Sequence, residues 1–161
     1  LQVAILAHAL AVIHNQLCGR EELSPDRACV YAVFHDAGEI ITGDLPTPVK
    51  YYNPVIRENY QAIEAVAKEK LLSMLPAELD AVYRRILFYE QEDAQYYPIV
   101  KAADKLSAYI KCAEEVKAGN REFVKAMEST LEALRASELP EVAYFMRHYM
   151  EAYNKTLDEM N

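Results

Sequence analysis

His35 and Asp36 are adjacent, Glu39 follows four residues after the histidine, and Asp104 lies far downstream in the run VKAADKLSAYIKC. Imidazole nitrogen and carboxylate oxygen are the usual ligands of divalent transition metals. A further carboxylate one helical turn from the histidine is placed to handle a proton on water held by such an ion. These residue types therefore suit metal-assisted hydrolysis. Taken alone, a His-Asp dipeptide is more often a capping or core-edge pair than a metal site. Asp104 has small and apolar neighbours, Ala102, Ala103, Leu106 and Ala108, so it is expected to be buried. A buried carboxylate must be ligated or paired, and Lys101 and Lys105 are the pairing candidates.

The elements that position these residues read as helices. Apolar residues recur at helical spacing from Leu1 through Ile13, and Cys18-Gly19-Arg20 closes that helix. Ser24-Pro25-Asp26 is a helix start, with a hydroxyl cap, proline at the first helical position and an acid in the first turn. The periodicity then predicts one helix to Thr42, with the His-Asp pair in its rigid middle and Gly43 as a left-handed cap. Pro46 and Pro48 exclude helix from 44–48 and make that loop short and stiff. Asn53-Pro54 opens the next helix, which runs to Pro76 and carries a charged, solvated face. Further helices are expected over 79–89, 99–117, 122–136 and 141–159, with 90–93 as a solvated acidic loop. His8 and His14 read as surface or core-edge histidines. No strand pattern or repeat is present, so the fold class is all-α, a helical bundle of about six or seven helices.

The bulk composition agrees. At 161 residues the chain suits one domain, and 52% hydrophobic with 26% charged residues excludes disorder. A net charge of −8 makes the protein a poor binder of nucleic-acid polymers or anionic membranes, and no apolar run is long enough to span a bilayer. The three cysteines, Cys18, Cys29 and Cys112, form no metal or redox motif and read as reduced thiols of a cytoplasmic protein. The 12 tyrosines, with no tryptophan, show no base-stacking spacing and read mostly as rims of the core.

HDxxE over 35–39, TGDLPTPVKYYN over 42–53 and KAADKLSAYIKCAEE over 101–115 together resemble the HD-domain superfamily, and within it the YfbR-type 5′-deoxynucleotidases. The His-Asp pair with a distant aspartate marks the superfamily; the TGDLPTPVKY segment is the more specific mark of the branch. The resemblance covers essentially the whole chain, read as a single HD domain over 1–161 that is incomplete at its N-terminus. It implies one divalent ion, Co, Mn, Zn, Fe or Ni, with His35, Asp36 and Asp104 as ligands. The family's first histidine ligand and a phosphate-holding Arg-Trp pair precede a run like Leu1-Gln2-Val3-Ala4, so both are expected upstream of Leu1. His8 does not match that ligand.

The implied reaction is hydrolysis of a deoxyribonucleoside 5′-monophosphate, with Glu39 as general acid/base and Asp44 at the sugar end of the pocket. Asp36, Asp44, Leu45, Pro46, Thr47 and Asp104 would contact substrate, and Lys50 would help neutralise its phosphate. Lys50 and Lys101 also read as ordinary surface lysines. Members of this family commonly form homodimers, and the C-terminal residues Val142, Tyr144, Phe145, Tyr149, Met150 and Tyr153 suit either core or interface. Two other readings stand beside this one. One is an HD phosphohydrolase for a triphosphate, cyclic nucleotide or alarmone; the other is a non-catalytic helical domain that binds a metal or nucleotide.

Overall fold

The structure is a computed structural model that describes residues 1–18, 22–44 and 53–154. Among them there is no strand: seven α-helices of nine residues or more are joined by shorter helical turns. The all-α expectation therefore holds. The chain divides into two compact units, one formed by Leu1–Val33 with Gln95–Asn161, the other by Phe34–Ala94.

In the first unit, α1 (Gln2–Leu17) packs along α6 (Tyr96–Lys117). Ala7, Leu10 and Ala11 of α1 are fully buried, as are Val100, Ala103, Leu106 and Ile110 of α6. Alanines at the contact let the two backbones approach closely, while each fully buried Leu or Ile contributes about 1.5–3 kcal/mol. α7 (Val124–Arg135) packs on α6, and α8 (Pro140–His148) on α1, burying Val142 and Phe145; the short α9 (Met150–Asn154) follows. The C-terminal apolar set is thus split, since Val142, Phe145 and Met150 are core whereas Tyr149 and Tyr153 are exposed. The helix expected over 141–159 is interrupted at Tyr149.

α2 (Pro25–Phe34) starts as its sequence demands: Ser24 Oγ accepts from the Arg27 amide at 3.2 Å. Tyr96 anchors it, accepting from the Ser24 amide at 3.1 Å, stacking on Tyr31 at 5.2 Å and lying under the Arg27 guanidinium. The Asn15 side chain exchanges two hydrogen bonds with the Leu23 backbone, which fixes the connection between α1 and α2. His14 corrects the surface or core-edge reading: it is buried on α1 and its Nδ1 hydrogen-bonds the fully buried Glu141 of α8. His8 agrees with that reading, half-exposed and 3.9 Å from Asp26. The cysteines are free thiols; burial pushes the Cys112 thiol up, whereas Cys18 and Cys29 are only half-buried.

The second unit contains α3 (Glu39–Thr42), α4 (Pro54–Leu72) and α5 (Ala77–Phe88). Asn53 caps α4 by accepting from the Ile56 amide at 2.8 Å, with Pro54 at the first helical position. Arg84 of α5 grips the Glu69 carboxylate of α4 with both terminal nitrogens, at 2.6 and 2.9 Å, and holds that carboxyl below its usual range. The acidic segment after α5 is not the solvated loop expected. Gln91–Gln95 forms a 3-10 turn, and Asp93 is fully buried against Arg85, whose Nε and Nη2 each lie 2.9 Å from Asp93 Oδ2. A charge run signals solvation only where no cation reaches it, and Arg85 reaches this one from the preceding helix.

Replacing Arg85 with Ala removes the Arg85 guanidinium from the buried Asp93 carboxylate. Because Arg85 is itself part-exposed, we expect a loss of about 2 kcal/mol, below the usual range for a broken buried pair, read by urea unfolding. A change under about 0.5 kcal/mol would show that the pair stabilises nothing.

Candidate functional site

The single long helix expected over 25–42 does not form. α2 stops at Phe34, residues 35–38 form turns, and α3 starts at Glu39. The backbone switches to tight i→i+3 bonds, with Ala37 N–H to Phe34 O at 3.0 Å and Glu39 N–H to Asp36 O at 2.9 Å. Gly38 lowers helix propensity here, and it packs against α4: a Cβ at Gly38 would lie 3.5 Å from Glu64 O. Ile40 and Ile41, which seemed to continue the apolar stripe, are exposed. Phe34 secures the end of α2 by packing edge-on against Tyr83 of α5, with centroids 6.0 Å apart.

Adjacent residues diverge by about 100° on an α-helix and by about 120° in a 3-10 turn. The long imidazole bridges that angle here, with His35 Nε2 2.8 Å from Asp36 Oδ2. His35 is mostly covered at 12% side-chain exposure, whereas Asp36 is open at 48%. Two ligand atoms bound at about 2.1 Å and at right angles stand about 3 Å apart, so this spacing matches one edge of a coordination shell. Glu39 is half-buried at the start of α3, its carbonyl accepting from the Gly43 amide at 2.9 Å.

Gly43 corrects a second expectation. Its φ of 72° is positive, but its ψ of 161° is extended, so it is not a left-handed cap. That region is essentially closed to residues with a Cβ. The Gly43 carbonyl accepts from Thr42 Oγ1 at 3.0 Å and from the hydroxyl of buried Tyr60 on α4 at 3.2 Å. Asp44 follows and is exposed. Leu45, Pro46, Thr47 and Lys50 lie outside the described residues.

Asp104 sits on α6 in the first unit. It is half-buried, not fully buried as its neighbours implied, because only the Val100, Ala103 and Leu106 side of the helix is sealed. Lys101 is half-buried as well, its ammonium 5.9 Å from the Tyr97 ring centroid. His8 lines an apolar cleft of about 810 Å³ with Ile5, Val12 and Tyr153, a wall unsuited to a charged phosphate. Sequence reasoning missed Tyr60, whose hydroxyl reaches back 17 residues to Gly43; no local pattern announces such a contact.

Comparison with known proteins follows the same lines. Residues 1–153 match the family described as 5′-deoxynucleotidase YfbR-like. A 5′-deoxynucleotidase of Photobacterium profundum is 46% identical over 161 residues, covering 100% of this chain and 82% of that protein. One from Vibrio cholerae is 45% identical over the same span and share, and one from Yersinia pestis 44% identical over 164 residues, covering 100% of this chain and 81% of its own. The crystal structure of an HD-domain phosphohydrolase from Listeria innocua superposes with a TM-score of 0.80 at 24% identity, covering 94% of this chain and 73% of the other. That likeness establishes the HD-domain fold. A match of this extent, with relatives this similar along the whole chain, places the protein by more than its His-Asp turn: it belongs to the YfbR-like family of 5′-deoxynucleotidases.

Proposed function

We infer that His35, Asp36 and Asp104 hold one divalent transition-metal ion at the centre of a site that cleaves phosphomonoesters. The observation that carries this is the 2.8 Å approach of the His35 and Asp36 ligand atoms. The chain is a phosphoric monoester hydrolase of the 5′-deoxynucleotidase type, releasing the 5′-phosphate of deoxyribonucleoside monophosphates. His35, Asp36 and Asp104 each offer an imidazole nitrogen or a carboxylate oxygen, a donor set that fits Mn, Fe, Co, Ni or Zn. When bound, such an ion supplies Lewis-acid activation of water and offsets charge on the phosphoryl group.

The remaining steps fall to the chain. Glu39, next to the His-Asp turn and not needed as a ligand, takes the proton from the attacking water and returns it to the departing 5′-oxygen. Water oxygen bonds to phosphorus as the bond from phosphorus to the 5′-oxygen breaks, giving phosphate and a nucleoside. Asp36 and Asp104 also face the substrate, and Lys50 offsets phosphate charge. Asp44, Leu45, Pro46 and Thr47 form the sugar end, where Asp44 orients the deoxyribose. A backbone pressed against C2′ leaves a 2′-hydroxyl without room or partner, which favours deoxy substrates.

Residues 1–161 work as one HD domain in this reading, in a cytoplasmic homodimer to which the exposed Tyr149 and Tyr153 contribute. No helix among the described residues is long and apolar enough to cross a membrane. The net charge of −8 disfavours nucleic-acid polymers and anionic membrane surfaces.

In the full-length protein, phosphate release from deoxyribonucleoside monophosphates should exceed release from the matching ribonucleotides and stop on chelation. Pyrophosphate or a linear monophosphate as product would instead identify another nucleotide phosphohydrolase. Glu39→Gln should lower kcat by on the order of 10²- to 10⁴-fold while calorimetry still records Mn²⁺ or Co²⁺ binding. Near-wild-type turnover in that variant removes Glu39 from the mechanism. His35→Ala should lose the ion itself, and undiminished Mn²⁺ affinity would displace His35 from the ligand set.

A further inference from the structure

We propose that Tyr60 is a positioning residue for sugar selection, acting through the backbone that delivers Asp44. The proposal rests on the reading of Asp44 as the residue at the sugar end. Asp44 is exposed and follows a glycine, so neither its own packing nor its predecessor's side chain fixes its direction. Something else must, because a sugar filter built on close approach fails if the backbone can retreat by an ångström.

The Gly43 carbonyl supplies the restraint. A carbonyl oxygen has two lone pairs, and here two hydroxyls donate to it: Thr42 Oγ1 at 3.0 Å and Tyr60 at 3.2 Å. The first donor is the preceding residue and moves with the loop. The second stands on α4, a 19-residue helix capped by Asn53, and Tyr60 is only 7% exposed. The peptide bonds of the described residues are trans. The Gly43 carbonyl and the Asp44 amide therefore share one plane, and holding the oxygen restricts where the Asp44 nitrogen and Cα lie.

Gly43 at φ 72°, ψ 161° occupies a region that glycine enters freely and other residues rarely do. Its own dihedral preferences therefore do not hold this backbone, and among the described residues the Tyr60 hydroxyl is a long-range contact that does. It links the exit of α3 to a rigid helix of the same unit, so the loop starts from a fixed point.

The test is Tyr60→Phe, which keeps the buried ring and removes only the hydroxyl. In the full-length protein with Mn²⁺, we expect KM for dAMP to rise about tenfold with a smaller fall in kcat, and the dAMP-to-AMP ratio of kcat/KM to fall at least about fivefold. Gly43→Ala adds a Cβ that meets no other described residue within 4 Å but strains the φ of 72°, and should lower the same ratio through the dihedral. Arg85→Ala, which weakens the same unit elsewhere, should leave the ratio within about twofold and so separates positioning from general loosening. The proposal is overturned if Tyr60→Phe keeps the wild-type ratio, or if Arg85→Ala lowers it as much. Wild-type protein without deoxy preference removes the sugar-end reading and this inference together; a preference that survives Tyr60→Phe removes the inference alone.

Discussion

The pairing of His35 with Asp36 is the contact around which the proposed site is built. Their Nε2 and Oδ2 atoms lie 2.8 Å apart in the turn over 35–38, where α2 has ended at Phe34. Three contacts hold that turn in place. Phe34 is wedged against Tyr83, Gly38 lies close to the α4 backbone, and Glu39 begins a new helix with its amide already bonded to Asp36. The turn that carries the pair is therefore stabilised by the two helices of its own unit.

Asp104 is held by the opposite strategy. It projects from the middle of a 22-residue helix whose buried side is continuous from Tyr96 to Cys112. Moving it would require shifting Val100, Ala103 and Leu106 within the densest part of the first unit. The core fixes the backbone from which Asp104 projects. The His-Asp turn has no comparable core and is fixed by a few specific contacts.

What could be read from the sequence follows the range of the interactions. Ser24 and Asn53 announced helix starts because a cap acts over three residues, and both bonds are present. The His-Asp-x-x-Glu spacing and the distant aspartate could be singled out because metal chemistry, the reading proposed here, dictates residue type. The helix break was not legible, since Ile40 and Ile41 have the right period yet face solvent. Nor was the burial of Asp93 or His14, whose partners Arg85 and Glu141 lie 8 and 127 residues away. An acidic run and a lone histidine look the same in sequence whether or not a partner folds onto them.

The acidic character of the proposed site carries its own requirement. Asp36, Glu39, Asp44 and Asp104 are four acids assigned to one phosphate monoester, in a chain of net charge −8. At about 4 Å, two like charges oppose each other by roughly 1 kcal/mol in water and by about 4 kcal/mol near a protein surface. Unless a cation stands between them, such a site repels a phosphate dianion more strongly than Lys50 alone could offset. The carboxylates that select for a metal thus make substrate binding conditional on it. The same charges discourage polyanions, for which one ion is too little compensation. In this reading, substrate class and metal dependence follow from one feature of the chain, its excess of carboxylates around His35.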